Sequence, residues 1–239
     1  MFGLLLLVFD PLQRVARLFG SRPQEVIVGA LQVSLLWAFR VTGTRIFVER
    51  SPWVLPGQPY LILANHQSMF DIPILGAELF TNYPKYVSKR ELARWIPSIS
   101  YNLRRGGNAL IERGDRNQAT AAIRALGTSV NERGVSAVLY PEGTRARRGA
   151  LGRFKLAGAM ALLESAPAIP IVPASVDGSW KLLRFNLLPV PFRTHIRVRF
   201  CDPISRSPEE DRAALLAEVR EQISSTLEAW REQKNLAKV

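Results

Sequence analysis

Asn65-His66-Gln67-Ser68-Met69-Phe70-Asp71 places one of the chain's two histidines five residues before a carboxylate, directly after the apolar run Tyr60-Leu61-Ile62-Leu63-Ala64. Further on, Tyr140-Pro141-Glu142-Gly143-Thr144-Arg145 sets an acid and a guanidinium on a Gly-containing turn, after a second apolar run, Ala137-Val138-Leu139-Tyr140. A neutral imidazole, with a pKa near ~6.5, suits proton abstraction at physiological pH, and such general-base help is worth about 100- to 10,000-fold. The ring must hold its own proton on the nitrogen facing away from the substrate. A carboxylate bonded to that N–H fixes the tautomer and stabilises the imidazolium that develops. Gly143 lets a ligand come close to the backbone, and Thr144 and Arg145 can donate to phosphate oxygens. A base, an acid to orient it and an anion-binding loop together suit the movement of an acyl group onto a phosphorylated alcohol.

Each block also has a plainer reading. Five residues of unbroken helix would rotate Asp71 away from His66, so the pair converges only across a turn. Ser68 supplies that break as a helix N-cap, and Pro73 is tolerated near a helix start. The same Ser68-x-x-Asp71 spacing is a capping box, in which the acid only bonds the N-cap backbone. The second block reads alternatively as an ordinary turn with solvated charges. Against that, Arg145, Arg147, Arg148, Arg153 and Lys155 follow with no intervening acid, although some of these can equally face anionic lipid. Gly106-Gly107 and Ile111-Glu112-Arg113 offer a second approach to the same phosphate. His195 lies between basic residues and is assigned no role.

The elements that must position these groups follow from the apolar pattern. Strand-like runs fall at 45–49, 60–64, 85–88, 108–112, 136–140, 169–175 and 195–201, the last alternating Ile196, Val198, Phe200 against Arg197 and Arg199. Helices are expected at 68–79, 115–133 and 154–164. Asp115 caps the second of these, with Gln118 at the third helical position and Gly134 past its end. Ser207-Pro208-Glu209-Glu210 predicts the start of a last helix, whose Leu215, Val219, Ile223 and Leu227 recur every four residues. Strands alternating with helices imply an α/β fold, a mixed and largely parallel sheet flanked by helices. Residues 1–43 are expected to form an N-terminal membrane-associated helical pair, and 44–239 the catalytic domain.

A chain of 239 residues, 47% hydrophobic, can bury one sizeable core. Its net charge of +12 implies anionic partners: nucleic acid, an anionic membrane surface or phosphorylated ligands. The single Cys201 excludes an internal disulfide and fits a reducing compartment. Two N-terminal apolar stretches, 1–9 and 26–39, fall short of the roughly 18–20 residues of a spanning helix, and no signal-peptide pattern follows. Between them, 10–19 places Leu12, Val15, Leu18 and Phe19 on one side with Arg14 and Arg17 elsewhere, the pattern of an interfacial helix. The expectation is a monotopic protein on the cytoplasmic face of the inner membrane, with both chain ends on that side.

With these residues together, the chain resembles the PlsC-type glycerolipid acyltransferases. Their Asn-His-x-x-x-x-Asp motif matches residues 65–71, and their Phe-Pro-Glu-Gly-Thr-Arg motif matches 140–145 with Tyr140 in place of Phe. A Gly-containing stretch ending Phe-Ile-Asp-Arg matches 107–113 more loosely, and a Val-Pro segment matches Ile171-Val172-Pro173-Ala174. The likeness covers roughly residues 44–205. It departs at Phe154-Lys155-Leu156-Ala157-Gly158, where a second Lys and an earlier Gly are commoner, and that bears on the acceptor.

The resemblance implies direct transfer of an acyl chain from acyl-CoA or acyl carrier protein to the sn-2 hydroxyl of 1-acyl-glycerol-3-phosphate (lysophosphatidic acid), giving phosphatidic acid. His66 would be the base and Asp71 its orienting acid. Glu142, Gly143, Thr144 and Arg145, with Arg113 and Lys155, would hold the phosphorylated acceptor. No acyl-enzyme, metal or nucleotide cofactor is implied, and the partners are membrane lipids rather than nucleic acid. Another lysolipid, such as lyso-ornithine lipid, is the competing acceptor. A non-catalytic basic module explains the charge but leaves both motifs as coincidence.

Overall fold

A computed structural model describes residues 1–112, 114–146, 149–183, 191–207 and 209–236, with side chains described as far as 233. Its centre is a seven-stranded sheet. In chain order the strands are β1 (Arg45–Arg50), β2 (Leu61–Ala64), β3 (Lys85–Lys89), β4 (Ala109–Ile111), β5 (Ala137–Leu139), β6 (Ile171–Asp177) and β7 (His195–Phe200). They lie side by side as β1-β7-β6-β2-β5-β3-β4. Every neighbouring pair is parallel except β6 and β7. The sheet is therefore mixed and largely parallel, as the alternating pattern implied.

The central strands are apolar at every position because both faces are covered. Leu61, Leu63, Ala137 and Leu139 point into one core, which is closed by α5 (Arg116–Arg133), α6 (Leu156–Ser165) and α7 (Arg212–Leu236). Ile62, Ala64, Val138 and Tyr140 point the other way, against Phe39, Ile74 and Leu75 of α2 (Ser21–Arg40) and α3 (Asp71–Glu78). The period-2 alternation of a strand divides each run between two cores. The short α4 (Ile99–Arg105) follows β3.

Helix α5 starts and stops where its sequence indicates: Asp115 accepts the Gln118 N–H at 2.9 Å, and Gly134 closes the helix at φ +56°. The last helix does not begin at Ser207. Asp211 caps it instead, its Oδ1 accepting from Ala213 N at 2.9 Å and Ala214 N at 3.2 Å. Arg206 is the reason. Its Nε holds Glu210 at 2.6 Å while its other nitrogens donate to the carbonyls of Leu163 and Ala166 at the end of α6, which ties Glu210 to α6.

The N-terminal segments 1–9 and 10–19 form one helix, α1 (Phe2–Leu18), which continues through Pro11. Proline removes one backbone donor there. The adjacent turn is fastened from outside: Ser98 N donates to Asp10 Oδ1 at 2.6 Å and Ser98 Oγ to the Leu6 carbonyl at 2.7 Å. The outer stripe of α1, with Leu4, Leu7, Val8, Leu12 and Val15, is exposed. Helix α2 is fastened to the sheet by charge. Buried Glu25 accepts from Lys85 Nζ of β3 at 2.8 Å and Arg133 Nη2 of α5 at 2.5 Å, and Arg22 holds its other oxygen at 3.1 Å. Among the described residues no helix is long and apolar enough to cross a membrane.

Candidate active site

His66 and the loop after Tyr140 leave the sheet at the carboxyl ends of two adjacent parallel strands, β2 and β5, where α/β sheets place their ligand sites. The sheet's hydrogen bonding continues one residue past β2 through a side chain. Asn65 Oδ1 accepts the Val176 N–H at 2.7 Å, and its Nδ2 donates to the Val176 carbonyl at 2.9 Å, so the amide imitates a peptide paired to β6. That anchors the residue before His66.

Helix α3 begins at Asp71 rather than Ser68, and residues 68–70 form the turn that brings acid and imidazole together. Asp71 Oδ2 lies 2.8 Å from His66 Nδ1 and also accepts from Gln67 N at 2.7 Å and Ser68 N at 2.8 Å. Its Oδ1 accepts from Ser179 Oγ at 2.5 Å. The two readings of Ser68-x-x-Asp71 are therefore both present: one carboxylate closes the turn and orients the imidazole. Asp71 is wholly buried, whereas the His66 side chain keeps 16% of its surface open. A buried carboxylate on Nδ1 holds that nitrogen as the donor and leaves Nε2 as the acceptor.

The second motif is tied to the first along the His66 backbone. Glu142 Oε1 accepts the His66 N–H at 2.7 Å, and Ala146 N donates to the His66 carbonyl at 2.7 Å. Glu142 Oε2 accepts from Gly152 N at 2.7 Å, and a Cβ on Gly152 would come within 2.6 Å of that oxygen. Both oxygens of Glu142 are thus taken by backbone donors, so its carboxylate braces the two loops. Burial pushes this carboxyl above the ordinary range, against the pull of the two N–H groups. The Tyr140 ring stacks on the imidazole with centroids 4.1 Å apart, and its buried hydroxyl finds no partner among the described residues.

The cationic residues lie outside this frame. Thr144, Arg145 and Lys155 are exposed, and Gly143 turns the loop at φ +66°, where a Cβ would sit 3.1 Å from Lys155 Nζ. Lys155 N is fixed to the Pro141 carbonyl at 2.7 Å, which keeps that side chain beside the Glu142–Arg145 turn. Arg113, Arg147 and Arg148 lie outside the described residues. His195 is the exposed first residue of β7, edge-on to Phe47.

The profile of the Acyltransferase family matches residues 39–177, more than half of the chain. The chain belongs to that family. It is 31% identical to the 1-acyl-sn-glycerol-3-phosphate acyltransferase of Salmonella typhimurium over 128 residues, 54% of this chain and 51% of that protein. It is 31% identical to the 1-acyl-sn-glycerol-3-phosphate acyltransferase alpha of Mus musculus over 172 residues, 70% of this chain and 58% of that protein. The matches thus span between half and three fifths of those relatives' lengths. The crystal structure of the 1-acyl-sn-glycerophosphate acyltransferase PlsC from Thermotoga maritima shares the fold, with a TM-score of 0.70 over 90% of this chain and 83% of that one at 21% identity.

Three positioning groups of this acyltransferase-family site carry no local signal in the sequence. Ser179 starts a short 3-10 turn after β6, 108 residues from the carboxylate it binds. Gln67 spans to the same region, accepting from Gly178 N at 3.0 Å through Oε1 and donating to Asp177 Oδ1 at 3.3 Å. Arg231 of α7 donates to the Gly149 carbonyl at 2.8 Å and so steadies the loop after Arg145.

Proposed function

We propose that the protein transfers an acyl chain from acyl-CoA or acyl carrier protein to the sn-2 hydroxyl of 1-acyl-glycerol-3-phosphate, forming phosphatidic acid. The observation that carries this reading is the 2.8 Å contact between His66 Nδ1 and a buried Asp71, which leaves Nε2 as the base. The acceptor hydroxyl gives its proton to Nε2 while its oxygen attacks the thioester carbonyl. The C–S bond then breaks, and the imidazolium returns the proton to the departing thiolate, leaving the enzyme unchanged. Both proton transfers use the same nitrogen, so no acyl-enzyme and no cofactor is needed.

The names of the relatives support lysophosphatidic acid as acceptor, with Thr144, Arg145 and Lys155, and Arg113 beyond the described residues, binding its phosphate. Glu142 serves that loop by bracing it. The reaction takes place at a membrane, on the cytoplasmic face of the inner membrane. The exposed apolar stripe of α1 lies in one leaflet, because lifting a lipid wholly into water costs about 0.8 kcal/mol per exposed CH₂. The test offers purified protein acyl-CoA and acyl carrier protein with a panel of lysolipids, and products are read by mass. Phosphatidic acid should dominate. Preferential acylation of lyso-ornithine lipid or a lysophospholipid would replace the acceptor, and no product from any lysolipid would end the enzymatic reading.

A further inference from the structure

A cleft of about 460 Å³ opens between α1 and the chain segment 94–104, and none of the acyl-transfer residues lines it. Three guanidinium groups, Arg14, Arg94 and Arg104, face it against the single carboxylate of Asp10. Two of them are held in place with donors to spare. Arg14 Nε bonds Asp10 at 2.7 Å while its guanidinium lies 4.6 Å over the Tyr101 ring, and Arg104 donates through one nitrogen to the Ala93 carbonyl. The Arg94 side chain is exposed and makes no hydrogen bond or ion pair among the described residues. Fixed guanidinium groups with unused N–H bonds are a site for a phosphate oxyanion.

Trp95, on the rim, decides what carries that phosphate. It is 95% exposed and sits at φ +66°, a left-handed conformation that is strained for a non-glycine residue. A strained backbone that holds an indole out in water gains nothing in solution. It gains where the ring lies at the level of lipid headgroups. Leu7 and Pro11 of α1 wall the same cleft, and Leu7 belongs to the exposed apolar stripe, so acyl chains beneath a bound phosphate would meet apolar surface.

We propose that this cleft binds the phosphodiester headgroup of an anionic bilayer phospholipid that is not a substrate, with Trp95 in the interface beside it. The proposal rests on the reading that the protein works at a membrane. The cleft is separate from the acyl-transfer centre. Phe2 packs on Phe70, next to Asp71, with ring centroids 5.6 Å apart, whereas Arg14 lies twelve residues further along α1, ~18 Å away at a helical rise of ~1.5 Å per residue.

The test uses the whole protein with vesicles of phosphatidylcholine alone and of phosphatidylcholine containing phosphatidylglycerol. Arg94→Gln should bind the anionic vesicles ~5-fold more weakly than the wild type, with Arg94→Lys in between, since one surface cation contributes about 1 kcal/mol. Binding to neutral vesicles and the melting temperature should not change. The fluorescence lost in Trp95→Phe should be blue-shifted by anionic vesicles, and inorganic phosphate should not displace the protein. An equal loss on both vesicle types, no loss on either, or displacement by inorganic phosphate would each overturn the lipid site while leaving the membrane reading intact. Failure of the wild type to bind either vesicle would overturn both.

Discussion

Glu142 Oε1 accepts the backbone N–H of His66 at 2.7 Å, joining the loop after β5 to the base itself rather than to any ligand. If this carboxylate braces the base, Glu142→Gln keeps one acceptor but turns an amide N–H₂ toward a backbone donor. We expect kcat to fall about 10- to 100-fold, the loss of one buried bond to a charged group, with the acceptor KM nearly unchanged. Steady-state kinetics in both substrates decides it. A rise in acceptor KM at constant kcat would mean that Glu142 holds the substrate.

His66→Ala should reduce kcat by at least ~100-fold with the fold intact by circular dichroism. Asp71→Asn should cost nearly as much, by favouring the wrong imidazole tautomer. Ser179→Ala removes the partner of Asp71 Oδ1 and should lower kcat by about 10-fold, with Ser179→Thr restoring much of it. Normal turnover in a folded His66→Ala protein would return Asp71 to a capping role alone.

Arg145→Lys keeps the charge of the exposed loop and loses the planar fork. The acceptor KM should rise while that of the acyl donor stays nearly constant. Equal rises in both would point to damage to the turn at Gly143 instead.

Burial pushes the Lys85 ammonium down from its ordinary 10.5 to about 8, against the pull of Glu25. Between those values the folded chain has released a proton that the unfolded chain still binds, so stability rises with pH across the window. It is lost again as pH falls through about 8. Melting temperatures of the wild type, taken relative to Lys85→Met, should climb over that range. A flat difference would show that Glu25 holds Lys85 charged throughout, against the repulsion of Arg133 and Arg22.

Leu4→Ser with Leu7→Ser changes only exposed positions on α1 and should weaken partition into neutral vesicles by more than 10-fold, at about 1.5–3 kcal/mol per side chain. Flotation measures it. Unchanged flotation would remove α1 from the membrane contact. Deleting residues 1–42 would be a poorer test, because it strips Lys85 and Arg133 of Glu25.

The sequence made the seven strands legible because each is a short apolar or alternating run, and α5 legible because Asp115, Gln118 and Gly134 are local signals. What it concealed depends on distant partners. Residues 1–9 and 10–19 read as two segments, yet α1 runs through both and through Pro11, with Ser98 fastened to Leu6 and Asp10 in the turn before it. Ser207 keeps its cap contacts, its Oγ accepting from Glu209 N at 3.4 Å and its N–H donating to Glu210 Oε2 at 3.2 Å, yet the helix itself starts at Arg212 behind Asp211. His66 and Asp71 announced themselves by spacing, whereas Ser179 has no neighbour in sequence that points to it. Glu142 was recognisable as part of a motif, but the resemblance implied ligand binding for it, and only its two backbone donors reveal a brace.

The buried Glu25, shared between Lys85 of β3 and Arg133 of α5, bears on anyone who would exchange parts between relatives. An N-terminal helical pair grafted onto this sheet from another protein would arrive without the acid that two buried or half-buried cations require. A donor sheet lacking those cations would in turn strand the acid. The segments 21–40, 85–89 and 116–133 therefore have to travel together, and a chimera joined near Gly43 would fail at that junction before its chemistry could be tested.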